Sequence, residues 1–454
     1  MLINSLSLEN FKCFEKLDVT FAPITLLTGA NSSGKSSLIN AILAVLQTEQ
    51  FPFYLSPNGK YVNMGSFEEI IFQGDDSLEL KLYMNFKSLF YRNITGAGSI
   101  LTSWKINVDN SLPTLKNVYF NNDDYQYHIY EKDNKYYMDL IASDLSLYVR
   151  NEEDVLSSFS EILNFNSAKV NIDLSPKEKD AVVSYNKVSI KFENAEVISI
   201  DDIFKVKSRS YKDNYLNIIT GLATSLIEHV KDGFNYVGSF RQPPERTYYQ
   251  KAKSEKINPS GEGYIDQIIE WEETDPEKFS TLNNYTFQMQ LLEEIKTTKL
   301  KGGRFEFGIR SHKNGKVVPV TDVGFGISQF LPIIVADLQL PDSSCLAVSQ
   351  PEIHLHPKIQ AAFGNYLVNQ INRTKKQYII ETHSEYLLNR IRLLLVTGEL
   401  KPEDVKVYYF ENDGIKSVVH EIEFATNGAV KGAPDGFFET YEMDVMDIAM
   451  HAVK

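Results

Sequence analysis

One stretch constrains this chain more than any other: Ile24 to Gln47, ITLLTGANSSGKSSLINAILAVLQ. An apolar run (Ile24, Leu26, Leu27) enters Gly29-Ala30-Asn31-Ser32-Ser33-Gly34-Lys35-Ser36-Ser37. Beyond it Leu38, Ile39, Ile42, Val45 and Leu46 recur at helical spacing. This is the G-x-x-x-x-G-K-[ST] phosphate loop in its strand–loop–helix setting. Gly29 and Gly34 allow backbone conformations in which successive N–H groups, through Asn31, Ser32 and Ser33, turn inward around a β-phosphate. Lys35 adds a point charge on the β/γ-phosphates, Ser36 offers a hydroxyl to Mg²⁺, and the helix N-terminus, with Ser37 in its first turn, favours the anion. The motif predicts nucleotide binding, with Ser36 on Mg²⁺.

Composition narrows the setting. The 454 residues suffice for a large core, and 43% hydrophobic with 23% charged residues is ordinary for a globular chain. A formal net charge of -14 argues against a surface that is basic throughout, so any contact with DNA must be local. The two cysteines, Cys13 and Cys345, have no metal-type spacing and fit a reducing compartment. No apolar run reaches the roughly 18 residues of a membrane span, and polar residues come too early for a signal peptide. The expectation is a cytoplasmic protein without a membrane partner.

Residues 1–28 alternate like two half-buried strands and reach Pro23 before the strand that feeds the phosphate loop. Within them Phe11 or Phe14 could stack on adenine and Lys12 could reach a phosphate; core aromatics and a surface lysine are the alternative. Residues 60–200 read mainly as β, in KLYMNFK, YQYHIYEKD, KYYMDLI, AVVSYNKVSIKFE and AEVISI, with one helix near Glu152 to Leu163. Gln47 and Gln73 both qualify as a γ-phosphate-sensing glutamine.

From Tyr211 the period turns helical, with one face made by Tyr215, Ile218, Ile219, Leu222, Leu226 and Val230. YVGSFRQPPERTYYQ then gives a short strand, a Pro-Pro turn and the arginines Arg241 and Arg246. A helix over Ile265 to Trp271 follows, and after Asp275-Pro276 a longer one is expected to end near Leu300. Phe305 to Val320 reads as a hairpin turning at Asn314-Gly315. Two basic clusters (Lys205, Lys207, Arg209, Lys212; and Lys296, Lys299, Lys301, Arg304) are either solvated helix ends or local contacts for nucleic acid or a partner. No sustained heptads occur, so no long coiled-coil arm is expected.

Three C-terminal stretches resemble the rest of a nucleotide site. Asp322-Val323-Gly324-Phe325-Gly326-Ile327-Ser328-Gln329 places glycines and a serine at a helix start. CLAVSQPEIHLHP (Cys345 to Pro357) and QYIIETHSEYLLNRI (Gln377 to Ile391) are buried strands that end in polar residues. A parallel α/β sheet gathers ligand groups at the carboxyl ends of its strands.

Together with PERTYY, these motifs resemble the ABC-type ATPase heads of the RecF, SMC and OLD (overcoming lysogenization defect) group. They are most similar to the predicted ATPases of bacterial anti-phage operons. The resemblance implies an α/β fold: a P-loop NTPase head, a mixed sheet with an antiparallel β subdomain, and a helical insertion. It divides the chain into 1–204 and 305–454 as ATPase halves, with 205–304 inserted. It also implies ATP as the nucleotide and head-to-tail pairing of two copies, with Gly324, Gly326, Ser328 and Gln329 of one meeting the γ-phosphate held by the other. His383 matches the switch histidine beside the γ-phosphate or attacking water.

One departure stands out. Where ABC heads carry an acid for Mg²⁺ and then a glutamate that activates water, this chain has Ser349 and Gln350. Serine can hold a magnesium-bound water but brings no charge, and glutamine cannot accept a proton as a base. Glu352 either takes over as the base or caps the following helix. His354, His356 and His383 admit a zinc reading as well as a loop-structuring one. Three functions follow: an ATP-driven switch acting on a separate effector or DNA-acting partner, an ATP-sensing scaffold that never hydrolyses, and an OLD-like nuclease. For the last, no acidic cluster with the strand–helix alternation of a metal-dependent nuclease domain follows His383, so an effector nuclease is expected on another chain.

Overall fold

The structure, a computed structural model, describes residues 2–49, 51–52, 54–91, 94–106, 113–122, 125–132, 135–142, 169–176, 185–193, 230–249, 256–434 and 437. In chain order the elements are β1 (Ile3–Phe11), β2 (Phe14–Thr20), β3 (Ile24–Gly29), α1 (Lys35–Gln47), α2 (Phe67–Ile70), β4 (Leu80–Tyr91), β5 (Ile94–Ile106), β6 (Pro113–Asn122), β7 (Tyr125–Lys132), β8 (Lys135–Ala142), β9 (Lys169–Pro176) and β10 (Tyr185–Glu193). Then come β11 (Phe234–Val237), β12 (Tyr248–Tyr249), α3 (Tyr264–Thr274), α4 (Pro276–Gln288), β13 (Glu294–Lys299), β14 (Arg304–Arg310), β15 (Val318–Pro319), α5 (Phe325–Gln339), β16 (Cys345–Ser349), α6 (Pro357–Thr374), β17 (Gln377–Glu381), α7 (Glu385–Val396), β18 (Val405–Asn412), β19 (Ser417–Phe424) and β20 (Val430–Lys431). The helix expected near 152–163, the helical face from 215 up to 229, the strand AEVISI and the basic cluster at 205–212 lie outside the described residues.

The chain divides into two compact units, one of Met1–Leu2, Thr20–Ile39 and Asp232–Lys454, the other of Ile3–Val19 and Asn40–Lys231. The first is built on a seven-stranded sheet in the order β11-β16-β17-β3-β18-β19-β20. From β11 to β18 the neighbours are parallel, and β19 and β20 return antiparallel. β3, β16 and β17 are buried at every position, as expected of parallel strands covered on both faces, and this is why each is apolar at its centre (Leu26-Leu27, Leu346-Ala347-Val348, Ile379-Ile380). Their register matters most. Ser349 lies opposite Glu381, and Glu381 opposite Leu27, so three segments far apart in sequence end side by side.

The same unit corrects two readings of its middle region. The helix after Pro276 ends at Gln288, and Glu294–Lys299 is a strand paired antiparallel with β14. Thr297 and Thr298 are β-branched and suit a strand, and the Ile295 N–H is bonded by the side chain of Asn283. The tight turn lies at Gly302-Gly303, between β13 and β14. Asn314-Gly315 sits in a longer connection, and β15 meets β14 only through Val318 and Pro319. Of the second basic cluster, Arg304 is bonded to and stacked on Tyr249, and Lys299 lies over Phe305.

The second unit carries a nine-stranded sheet, β2-β1-β4-β5-β6-β7-β8-β10-β9, antiparallel from β1 through β9. Phe11 and Phe14 are among its fully buried side chains, so they are core aromatics and not an adenine platform. Trp104 is buried beside Phe51, its indole N–H donating to the Pro52 carbonyl at 2.8 Å.

Candidate functional site

The phosphate loop follows β3. Gly29 has φ +125° and Gly34 φ +101°, and a Cβ at Gly29 would strike the Phe410 carbonyl of β18, so the loop can leave the sheet here only through glycine. Asn31 and Ser32 are exposed, while Ser33 is buried with its hydroxyl donating to the Ala30 carbonyl at 2.7 Å. Lys35 is folded back, its ammonium donating to the carbonyls of Gly29 (3.1 Å) and Ala30 (2.5 Å). Burial lowers its pKa from the ordinary lysine value, and nearby Glu381 partly offsets this. The ammonium thus rests on the carbonyls of its own loop.

Ser36, in the first turn of α1, does not stand alone. Its hydroxyl donates to Glu381 Oε1 at 2.7 Å, and Ser349 donates to Glu381 Oε2 at 2.9 Å. The Ser349 hydroxyl also lies 3.2 Å from that of Tyr236, whose pKa is raised mainly by burial. One carboxylate at the end of β17 thus ties the phosphate-loop serine to the end of β16. Reading the sequence by motif position passed over Glu381, although it closes a buried apolar strand as Ser349 does.

A second carboxylate lies one step outward. Glu352 accepts from the Thr382 hydroxyl (2.8 Å) and from the backbone N–H of His383 (2.7 Å). It does not cap the next helix. That cap is His356, whose Nδ1 accepts from the Lys358 N–H. Gln350 has φ +49° and is held through its backbone, its N–H donating to the Glu381 carbonyl at 2.7 Å.

Arg241 joins these ends to the signature helix. Buried in the loop after β11, it donates to the carbonyls of Ser349 (2.7 Å), Gln350 (3.1 Å) and Gln329 (3.1 Å). Burial lowers its pKa to about 10, opposed by Glu352, so it stays cationic at neutral pH. Sequence reading noted Arg241 without this role, because its acceptors are backbone carbonyls that no motif marks.

The signature residues gather at the start of α5 but face different ways. Gly324 fronts open space and Phe325 is exposed. Gly326 packs so tightly on the His354 carbonyl that a Cβ would collide with it. Ser328 is 1% exposed, its hydroxyl turned back to the Phe325 carbonyl, and Gln329 is buried with its amide near the carbonyls of Arg241 and Gln242. Lys12 lies in the other unit, in the turn between β1 and β2, with φ +49° and its N–H on the Ile70 carbonyl. Gln47 spends its whole amide on the 56–62 loop, donating to the Ser56 and Val62 carbonyls and accepting from the Tyr61 and Val62 N–H groups. Gln73 is exposed at φ +55°, and among the described residues its amide makes no hydrogen bond.

His383 has an exposed ring whose pKa is nonetheless lowered, first by partial burial and then by Lys35, against Glu352 and Glu381. A lowered value keeps the imidazole neutral at pH 7 and protonates it only below 6.5. If a neutral ring is the working form, phosphate release should hold steady from pH 8 down to 7 and lose an acid limb with its midpoint below 6.5, and the limb should vanish in His383→Gln. Rate against pH for both proteins is the check. Among the described residues no three His, Cys, Asp or Glu side chains lie close enough to hold a metal between them, which removes the zinc reading of His354, His356 and His383.

A phosphate loop closing a buried parallel strand, with polar groups from neighbouring strand ends gathered on one carboxyl edge, defines a P-loop NTPase head of mixed α/β type. The match to known families agrees. The chain belongs to the AAA ATPase domain family, whose model covers residues 1–388. Residues 400–448 match a second family, described as a protein of unknown function (DUF3696). No curated protein matches the chain.

Solved structures similar to it include an SMC head domain from Thermotoga maritima, at 12% identity and TM-score 0.39, covering 92% of this chain and 98% of that one. An SMC head bound to the C-terminal winged-helix domain of ScpA is similar at 12% identity and TM-score 0.40, with 93% and 97% covered. An SMC head with an extended coiled coil, bound to the C-terminal domain of ScpA derived from Pyrococcus furiosus, gives 10% identity and TM-score 0.41, with 100% and 99% covered. Among the described residues no helix is long and apolar enough to cross a membrane.

Proposed function

We propose that the chain is an ATP-driven switch. ATP sits on the phosphate loop, two copies pair head to tail so that the signature start of one closes over the triphosphate of the other, and hydrolysis releases the pair. The observation that carries this reading is the clasp on Glu352. A carboxylate held by the Thr382 hydroxyl and the His383 N–H is oriented beside the switch histidine and free of any capping duty, as a general base for water must be. His383, neutral at pH 7, orients the water or γ-phosphate. Gln350 lends only its backbone and an amide that can hydrogen-bond water without taking its proton.

The hydroxyls of Ser36 and Ser349 form an all-oxygen set that suits Mg²⁺. When bound, the ion neutralises charge on the phosphate oxygens. In this reading the halves 1–204 and 305–454 carry the ATPase, β11 and Arg241 from 205–304 join its sheet and site, and the rest of 205–304 is the insertion available to a partner. The motif resemblance assigns this switch to a bacterial anti-phage defence system, acting on a separate effector or DNA-acting chain in the cytoplasm. An ATP-sensing scaffold is the second reading, favoured by the missing acid at Ser349.

Sedimentation of the purified chain tests the proposal. Wild type should shift to a dimer or larger assembly with ATP and Mg²⁺, and Lys35→Ala should not. The same oligomer in both would show that assembly is independent of nucleotide. Assembly with no phosphate release would select the scaffold.

A further inference from the structure

A carboxylate taken out of water needs compensating charge, because its desolvation cost is only partly recovered by neutral donors. Glu381 is 5% exposed, and its two oxygens are met by hydroxyls, Ser36 on one and Ser349 on the other. No ion pair is made to it among the described residues. Lys35, the nearby cation, gives its ammonium to the Gly29 and Ala30 carbonyls instead. This leaves a buried negative charge beside the phosphate loop, facing the hydroxyl that such loops offer to magnesium.

Building on the nucleotide-binding reading above, we propose that Glu381 is the acidic ligand for the nucleotide's magnesium, supplied from β17 in place of the acid that β16 lacks at Ser349. The register makes the exchange possible. Ser349 and Glu381 are direct partners in parallel strands, so a carboxylate moved one strand over still reaches the same point beside Ser36. The spacing fits as well. Adjacent ligands of an octahedral Mg²⁺ at about 2.0–2.1 Å lie about 2.9 Å apart. The Ser36–Glu381 and Ser349–Glu381 oxygens are already separated by 2.7 and 2.9 Å. A cation can therefore sit between these oxygens with little movement of the chain, the Ser36 and Ser349 hydroxyls keeping their protons and rotating them away from Glu381. Ser349 then completes the cluster as a hydroxyl or through water, and needs no charge of its own.

The experiment measures Mn²⁺ binding to the full chain by electron paramagnetic resonance, in the presence of a non-hydrolysable ATP analogue. Affinity for the analogue is measured in parallel with Mn²⁺ and in EDTA. Glu381→Gln keeps the size and removes the charge. It should weaken Mn²⁺ in the ternary complex by about 10- to 100-fold, while affinity in EDTA is unchanged or improved. Adding Ser349→Asp to Glu381→Gln should recover most of the loss by returning a carboxylate to the cluster from β16. Wild-type Mn²⁺ affinity in Glu381→Gln overturns the proposal, as does an equal loss of analogue affinity with and without metal, or a double variant that recovers nothing. Failure of the wild type to bind the analogue at all would instead sink the nucleotide-binding reading.

Discussion

Glu352→Gln should cut phosphate release by about 10²- to 10⁴-fold, the usual contribution of a positioned general base, while ATP-dependent pairing persists and outlasts that of the wild type. The substitution is clean for a structural reason. The glutamine oxygen can still accept from the His383 N–H, and its new NH₂ can donate to the Thr382 hydroxyl, which accepts as readily as it donates. The clasp survives and only the basic lone pair is lost. Phosphate release under single-turnover conditions, beside sedimentation with ATP, separates the two effects. A rate within twofold of wild type would place the base elsewhere.

Asp337→Ala should lower the unfolding free energy by about 3–5 kcal/mol, the cost of leaving one member of a buried ion pair alone. Asp337 is 0% exposed near the far end of α5 from the signature residues. Its carboxylate accepts from the Lys376 ammonium at 3.3 Å, the Tyr378 hydroxyl at 3.0 Å and the Tyr366 hydroxyl, and its carbonyl also accepts from Lys376. Burial raises both tyrosines well above their ordinary value, and the neighbouring carboxylate raises them further, so both remain donors throughout the neutral range. These bonds tie α5 to α6 and to the start of β17. Alanine would strand the Lys376 ammonium in the core. Replacing both charges, as in Asp337→Leu with Lys376→Met, should return most of the loss, since a buried pair exchanged for apolar groups is often neutral. Urea denaturation of wild type and the two variants gives the comparison, and a single-variant loss below about 1 kcal/mol would mean that water reaches the site.

How far the sequence could be read depended on the range of the physics involved. Glycines in a phosphate loop, apolar periodicity in α1 and the short apolar centres of β3, β16 and β17 act over a few residues, and all of these were legible. Where local signals competed, the reading failed. The segment Glu294–Lys299 continues a helical pattern until its pairing with β14 is known, and Gln47 and Gln73 look alike until one amide is found bonded to four backbone groups.

The phosphate loop, the family of folds and the polar strand ends gathered beside that loop were therefore legible in sequence alone, because each is written in neighbouring residues. That Glu381 lies between Ser36 and Ser349, that Glu352 is clasped by the Thr382 hydroxyl and the His383 N–H, and that Arg241 binds three carbonyls were decided only by the tertiary structure. The parallel ladder is the reason. It sets side by side residues that lie far apart in the chain, and nothing in either residue's own neighbourhood records its partner.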